Sequence, residues 1–174
     1  MSRIDESRPF VPLGIAVLTV SDTRTLEDDK SGNTLVTRLE DAGHKLASRE
    51  IVKDDVGAIQ AQVRIWIDDE NVDAVISTGG TGLTGRDITP EAMEALFEKR
   101  IDGFSTAFHM ISYEKIGTST VQSRARERER EKERRITREI AKGITRQVVG
   151  EIAKGIAIIL VHRSLFPLPL FFSH

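Results

Sequence analysis

Thr78-Gly79-Gly80-Thr81-Gly82 and Arg86-Asp87, with Ser21-Asp22 and Asp54-Asp55 upstream, are the residues of this chain whose types and spacing can do chemistry. Glycines at 79, 80 and 82 permit backbone conformations with positive φ and leave main-chain N–H groups available to cradle an anion, while Thr78 and Thr81 add hydroxyl donors. Such a loop suits a phosphate. Carboxylates beside a phosphate repel it unless a cation sits between them, and Mg2+ shared by one or two carboxylates and phosphate oxygens is the usual arrangement. Asp54 and Asp87 are therefore the candidate metal ligands. Arg86, with its fork of guanidinium donors, can neutralise a phosphoryl group.

Plainer readings stand beside these. A Gly-Gly-Thr-Gly loop also makes a tight turn. Asp54 or Asp55 can cap a following helix, one cap being enough. Asp22 can be a turn residue, and Arg86 with Asp87 a surface ion pair. His44, His109, His162 and His174 have no ligand spacing and read as surface or packing residues, and Trp66 reads as core.

The elements that must position these residues follow from periodicity. Gly14 to Val20 is apolar on both alternating faces, as in a strand covered on both sides. A polar loop leads to a helix carrying Leu35, Val36, Leu39 and Ala42, stopped by Gly43. Lys45 to Val52 reads as a second strand. Asp54-Asp55 then opens a helix with Val56, Ile59, Val63 and Trp66-Ile67 on one face. Asp73 to Ser77 is a third buried strand ending in the glycine loop. Thr89 is expected to cap the next helix, with Pro90 at its first position and Met93, Leu96 and Phe97 on one face. A further helix spans about Phe104 to Lys115 and closes at Gly117. This β-α-β-α-β-α order predicts an α/β fold with a doubly wound, mostly parallel sheet and helices on both faces. In such a sheet ligands bind beyond the carboxyl ends of the strands, where the carboxylates and the glycine loop all fall.

Composition bounds the function without naming it. The chain has 174 residues, 39% hydrophobic and 30% charged, with a net charge of −2, so no global charge argues for nucleic acid or a membrane surface as partner. Without cysteine there is no thiolate metal site and no cysteine nucleophile. Residues 1–12 lack the apolar run of a secretory signal, and Ile156 to Val161 is too short to span a bilayer, so a cytoplasmic location is the expectation.

Seven segments together carry a resemblance. Leu18 to Arg24, Asp29 to Gly32, Ala42 to His44, Ile51 to Asp55, Thr78 to Gly82, Arg86 to Glu91 and Ile116 to Ala125 resemble, in order and spacing, the MoaB/Mog family of molybdenum-cofactor biosynthesis proteins. The resemblance implies a molybdenum-cofactor-binding type of fold. It also implies transfer of AMP from ATP to the terminal phosphate of molybdopterin, with Mg2+ required and pyrophosphate released. By that similarity Asp54 and Asp87 are the two essential acidic positions, and Thr78, Gly79, Gly80 and Gly82 the nucleotide-phosphate loop. Ser119, Ser123 and Arg124 fall where the family places pterin-side contacts. Ser21, Asp22, Thr81 and Arg86 complete the expected nucleotide set. A homotrimer or hexamer is implied as well.

After Ala125 the resemblance stops, which divides the chain into a MoaB/Mog-like region, 1–125, and an atypical charged then apolar segment, 126–174. Arg126 to Arg135 alternates charge and reads as a solvated segment, and Glu-Ile-Ala-Lys-Gly-Ile occurs twice, at 139–144 and 151–156. A frameshifted or chimeric end explains such a break, a genuine accessory extension being the alternative, and Ile156 to Val161 can supply a replacement strand. Two other functions fit the same residues: a non-catalytic module that binds molybdopterin or nucleotide, and a nucleotide hydrolase of the related competence/damage-inducible type.

Overall fold

Gly14–Val20 forms β1, and every residue after Gly14 in it is buried. The structure, a computed structural model, describes residues 10–82, 85, 87–97, 102–118, 127–128 and 158–161. After β1 the described elements are α1 (Lys30–Asp41), β2 (Lys45–Val52), α2 (Val56–Asp68), β3 (Ala74–Thr78), α3 (Thr89–Glu94), α4 (Asp102–Ile116), β4 (Glu127–Arg128) and β5 (Ile158–Val161).

The strands lie in the order β2-β1-β3-β5-β4. β1 runs parallel to β2 on one side and to β3 on the other. β5 pairs antiparallel with β3, from Ala74 opposite Val161 to Ser77 opposite Ile158, and β4 pairs parallel with β5. A strand expected within Ile156 to Val161 is thus present and lies directly beside β3. The fold is α/β, with the parallel part of the sheet built from the three strands that carry the candidate residues.

Alternation along β1 sends successive side chains to opposite faces. Ala16, Leu18, Val20 and Val75 pack with Ile59, Val63 and Trp66 of α2 and with Ala92 and Met93 of α3. On the other face Thr19 donates its hydroxyl proton to Asp29, the N-cap of α1, at 2.6 Å. Helices therefore cover both faces, and Trp66 is core, as its spacing predicts.

Local chemistry sets the helix ends. Asp29 caps α1 by accepting from the Gly32 N–H, and Asp55 caps α2 by accepting from the Ala58 N–H at 2.8 Å. At the far end of α1, Gly43 takes φ +83° while its N–H reaches Glu40 O and the His44 N–H reaches Leu39 O. That left-handed residue is why glycine stops this helix.

The start of α3 departs from expectation. Ile88, not Thr89, is the N-cap and makes no side-chain cap hydrogen bond, so Thr89 is the first helical residue and Pro90 the second. The cause is tertiary: the Thr89 N–H donates to Gly80 O at 3.0 Å, tying α3 to the glycine loop, and its side chain is buried. Among the described residues no helix is long and apolar enough to cross a membrane.

Candidate functional site

β1 lies between β2 and β3, so the chain leaves β1 in one direction and returns on the other side. Between β1 and β3 is the topological switch point, where a cleft opens beyond the strand ends. Gly79, the first residue after β3, sits there with φ +93°, and a Cβ on it would lie 2.1 Å from Val20 O at the end of β1. Only glycine allows the loop to cross the end of β1 this closely.

The next turn of the loop meets the acidic residues. Gly80 has φ +59°, and a Cβ there would stand 2.2 Å from Thr89 Oγ1, 3.0 Å from Asp54 Oδ1 and 3.2 Å from Asp54 Oδ2. At Gly82 the same test meets the Asp87 carboxylate, at 2.7 Å from Oδ2 and 3.2 Å from Oδ1. Two carboxylates from different segments thus rest against alternate glycines of one loop. Thr78 and Thr81 are buried within it. Capping of α2 falls to Asp55, which leaves the Asp54 carboxylate directed to the loop rather than to the helix.

Ser21 and Asp22 lie one strand over. They line a groove of about 400 Å³ with Arg24, Glu50 and Lys53, at the carboxyl ends of β1 and β2. Asp22 Oδ1 accepts from the Asp54 N–H at 3.2 Å, which couples this groove to the acidic position. Ser21 Oγ accepts from the Thr23 and Arg24 N–H groups, so the oxygen is used by its own turn while its proton remains available to donate. Arg86, Ser119, Ser123 and Arg124 lie outside the described residues.

Joined to the groove through Arg24 is a polar cluster that sequence reasoning did not assign. Asp29 is fully buried. It accepts from the Thr19 hydroxyl and the Gly32 N–H, and it pairs with Arg49 at 3.0 Å and with Arg24 at 3.5 Å. Burial pushes its carboxyl up, but Thr19, Gly32 and Arg49 together outweigh that and hold it below the usual carboxylate value. Arg49 also donates to Asn33 Oδ1 at 2.7 Å, and Arg24 to Ser31 Oγ at 3.2 Å. Two cations from different segments are thereby fixed to one buried anion. The available signal was Thr19, a hydroxyl inside an otherwise apolar strand.

Of the four histidines, His44 and His109 are among the described residues, and His162 and His174 lie outside them. His44 is buried at the opposite end of the sheet, where its Nδ1 accepts from the Leu13 N–H at 3.2 Å and its ring stands 5.2 Å from that of Phe10. His109 Nδ1 lies 2.6 Å from Ser105 O one helical turn back. Both act in packing and local hydrogen bonding.

Known proteins of this architecture share the sequence as well. Residues 16–152 match the family described as "Probable molybdopterin binding domain". The molybdenum cofactor biosynthesis protein B of Escherichia coli (strain K12) is 50% identical over 119 residues, which cover 68% of this chain and 70% of that protein. A crystal structure of a molybdenum cofactor biosynthesis protein B superposes with a TM-score of 0.65 at 48% identity, over 68% of this chain and 74% of that one. The tungsten cofactor synthesizing protein MoaB from Pyrococcus furiosus superposes with a TM-score of 0.61 at 27% identity, over 88% of this chain and 84% of its own. With the glycine loop and its two carboxylates set at the switch point of the same sheet, the chain belongs to the MoaB/Mog family of molybdenum-cofactor biosynthesis proteins.

Proposed function

We propose that this chain transfers AMP from Mg–ATP to the terminal phosphate of molybdopterin and releases pyrophosphate. The observation that carries the reading is the placement of Asp54 against Gly80 and Asp87 against Gly82, two carboxylates on one loop at the β1/β3 switch point.

The residues present fit a divalent cation shared with substrate. At Gly80 and Gly82 the Asp54 and Asp87 carboxylate oxygens pack against the glycines so closely that a Cβ would crowd them, which brings both carboxylates to the loop backbone. Among the described residues no group of three or more His, Cys, Asp or Glu is placed to hold a metal by itself. Asp54 and Asp87 supply the one or two carboxylates by which Mg2+ is held when phosphate oxygens supply the rest. When bound, the ion offsets negative charge on the phosphates. Asp54 and Asp87 hold and orient it, while the N–H groups of the Gly79–Gly82 turn face the phosphate chain.

Molybdopterin supplies the nucleophile. An oxygen of its terminal phosphate forms a bond to the α-phosphorus of ATP, the bond from that phosphorus to the oxygen bridging to the β-phosphate breaks, and pyrophosphate leaves with that electron pair. No protein nucleophile is required, so the chain's work is positioning and charge stabilisation. Arg86 belongs to the phosphate side by this reading. The groove bearing Ser21 and Asp22 completes the nucleotide side, and Ser119, Ser123 and Arg124 the pterin side. A cytoplasmic homotrimer or hexamer, without nucleic-acid or membrane partners, is part of the same proposal.

A second reading, a module that binds but does not turn over, is favoured by the extent of the match, which reaches 70% of the E. coli protein's length. Pyrophosphate release by the purified chain separates the two. Release that requires both ATP and molybdopterin, and that disappears in Asp87→Asn, supports transfer; binding of both without release supports the module.

A further inference from the structure

We propose that Thr89 is an additional oxygen ligand of the cation site, sharing the divalent ion with Asp54 beside the glycine loop. The inference rests on the Mg2+-dependent reading above and adds a residue to it.

Thr89 is fully buried, yet its Oγ1 has no hydrogen-bond partner among the described residues. Buried hydroxyls are nearly always satisfied, and one that is not calls for an explanation, a bound ion among them. The hydroxyl is not capping α3, because Thr89 is already helical and Ile88 holds the cap position. Its backbone N–H is committed to Gly80 O, which fixes the residue against the loop.

What it faces decides the chemistry. Thr89 Oγ1 and the Asp54 carboxylate converge on Gly80: a Cβ built there would clash with Oγ1 at 2.2 Å and stand 3.0 and 3.2 Å from the two Asp54 oxygens, so all three oxygens lie against the same glycine. A bare phosphate is repelled from a space bordered by a carboxylate, whereas a hard divalent cation takes carboxylate and neutral oxygen together. A threonine hydroxyl on Mg2+ beside an acidic side chain is the arrangement other nucleotide-phosphate loops use. Position 80 carries glycine because its φ is +59° and a Cβ would clash with Thr89 Oγ1, which keeps the hydroxyl against the loop.

The test uses the full chain and Mn2+ as the spectroscopic substitute for Mg2+. Free Mn2+ is followed by electron paramagnetic resonance as protein is added, with a non-hydrolysable ATP analogue present, for the parent, Thr89→Val, Thr89→Ser and Asp54→Asn. Thr89→Val keeps the volume and removes the oxygen, so Mn2+ affinity falls about tenfold or more, while Thr89→Ser stays near the parent. Thermal melting without metal is the second readout. Because the hydroxyl has no hydrogen-bond partner among the described residues, Thr89→Val melts at or above the parent temperature, which a merely structural role would not allow. Unchanged Mn2+ affinity in Thr89→Val, with loss in Asp54→Asn, overturns the role of Thr89 and leaves the proposed function standing. A parent that binds no Mn2+ even with the nucleotide analogue overturns both.

Discussion

Arg49 Nη2 lies 3.0 Å from Asp29 Oδ2, joining the edge strand β2 to the first turn of α1 through a carboxylate that solvent does not reach. The same carboxylate holds Thr19 of β1, so three consecutive elements are pinned at the end of the sheet where the site lies. A Cβ at Gly32 would stand 2.0 Å from Asp29 Oδ2 and 2.8 Å from Arg49 Nη2, which accounts for glycine one turn into the helix.

Asp29→Ala removes the cap and leaves the mostly buried Arg49 without its anion, and the expected loss is about 3 kcal/mol in urea unfolding. Thr19→Val removes one hydrogen bond to the carboxylate and costs about 2 kcal/mol. The carboxyl is held below the usual value in the folded chain, so its stabilisation is complete above about pH 3.9 and is lost as pH falls through the folded pKa. Acid unfolding of Asp29→Asn followed by circular dichroism should lose this part of the pH dependence.

His44 contributes at higher pH. Burial holds its imidazole below the usual value, so the neutral form is the folded one. Above about pH 6.5 neither state is protonated and His44 adds no slope; below it the unfolded chain takes up a proton that the folded chain refuses, and stability declines. His44→Asn keeps an acceptor for the Leu13 N–H and removes the titration, so its melting temperature should vary less between pH 5 and 7 (about the range over which an imidazole titrates) than that of the parent.

Two of the loop's three glycines, Gly79 and Gly80, should separate fold from function. Gly79→Ala puts a methyl group 2.1 Å from the Val20 carbonyl with φ at +93°, and neither backbone can yield, so a loss of about 2–3 kcal/mol is expected. Gly80→Ala, at φ +59°, intrudes instead on the Thr89 and Asp54 side chains rather than on backbone. Calorimetry should show weaker Mg–ATP binding in Gly80→Ala, with a smaller change in unfolding than in Gly79→Ala.

Much of this was legible in the residues. β1 and β2 begin and end where alternation and turn residues place them, because strands buried or paired along their whole length leave little choice of register. The α2 stripe of Ile59, Val63 and Trp66 is equally plain. Thr89 was misjudged because a threonine before Pro-Glu has the local chemistry of a cap, whereas a long-range bond to Gly80 O moved the helix start by one residue. The Asp29–Arg49 pair was missed for a similar reason: 20 residues separate the partners, and no periodicity reports a contact made through tertiary folding.

Mass analysis of the product tests the central claim most directly: the full chain is incubated with Mg–ATP and molybdopterin, beside Asp54→Asn and Asp87→Asn. The account predicts molybdopterin carrying one AMP on its terminal phosphate, formed at least about a hundredfold more slowly by either variant. Intact, folded chain that binds both substrates yet yields no adenylylated molybdopterin, or variants that yield it at the parent rate, would contradict it.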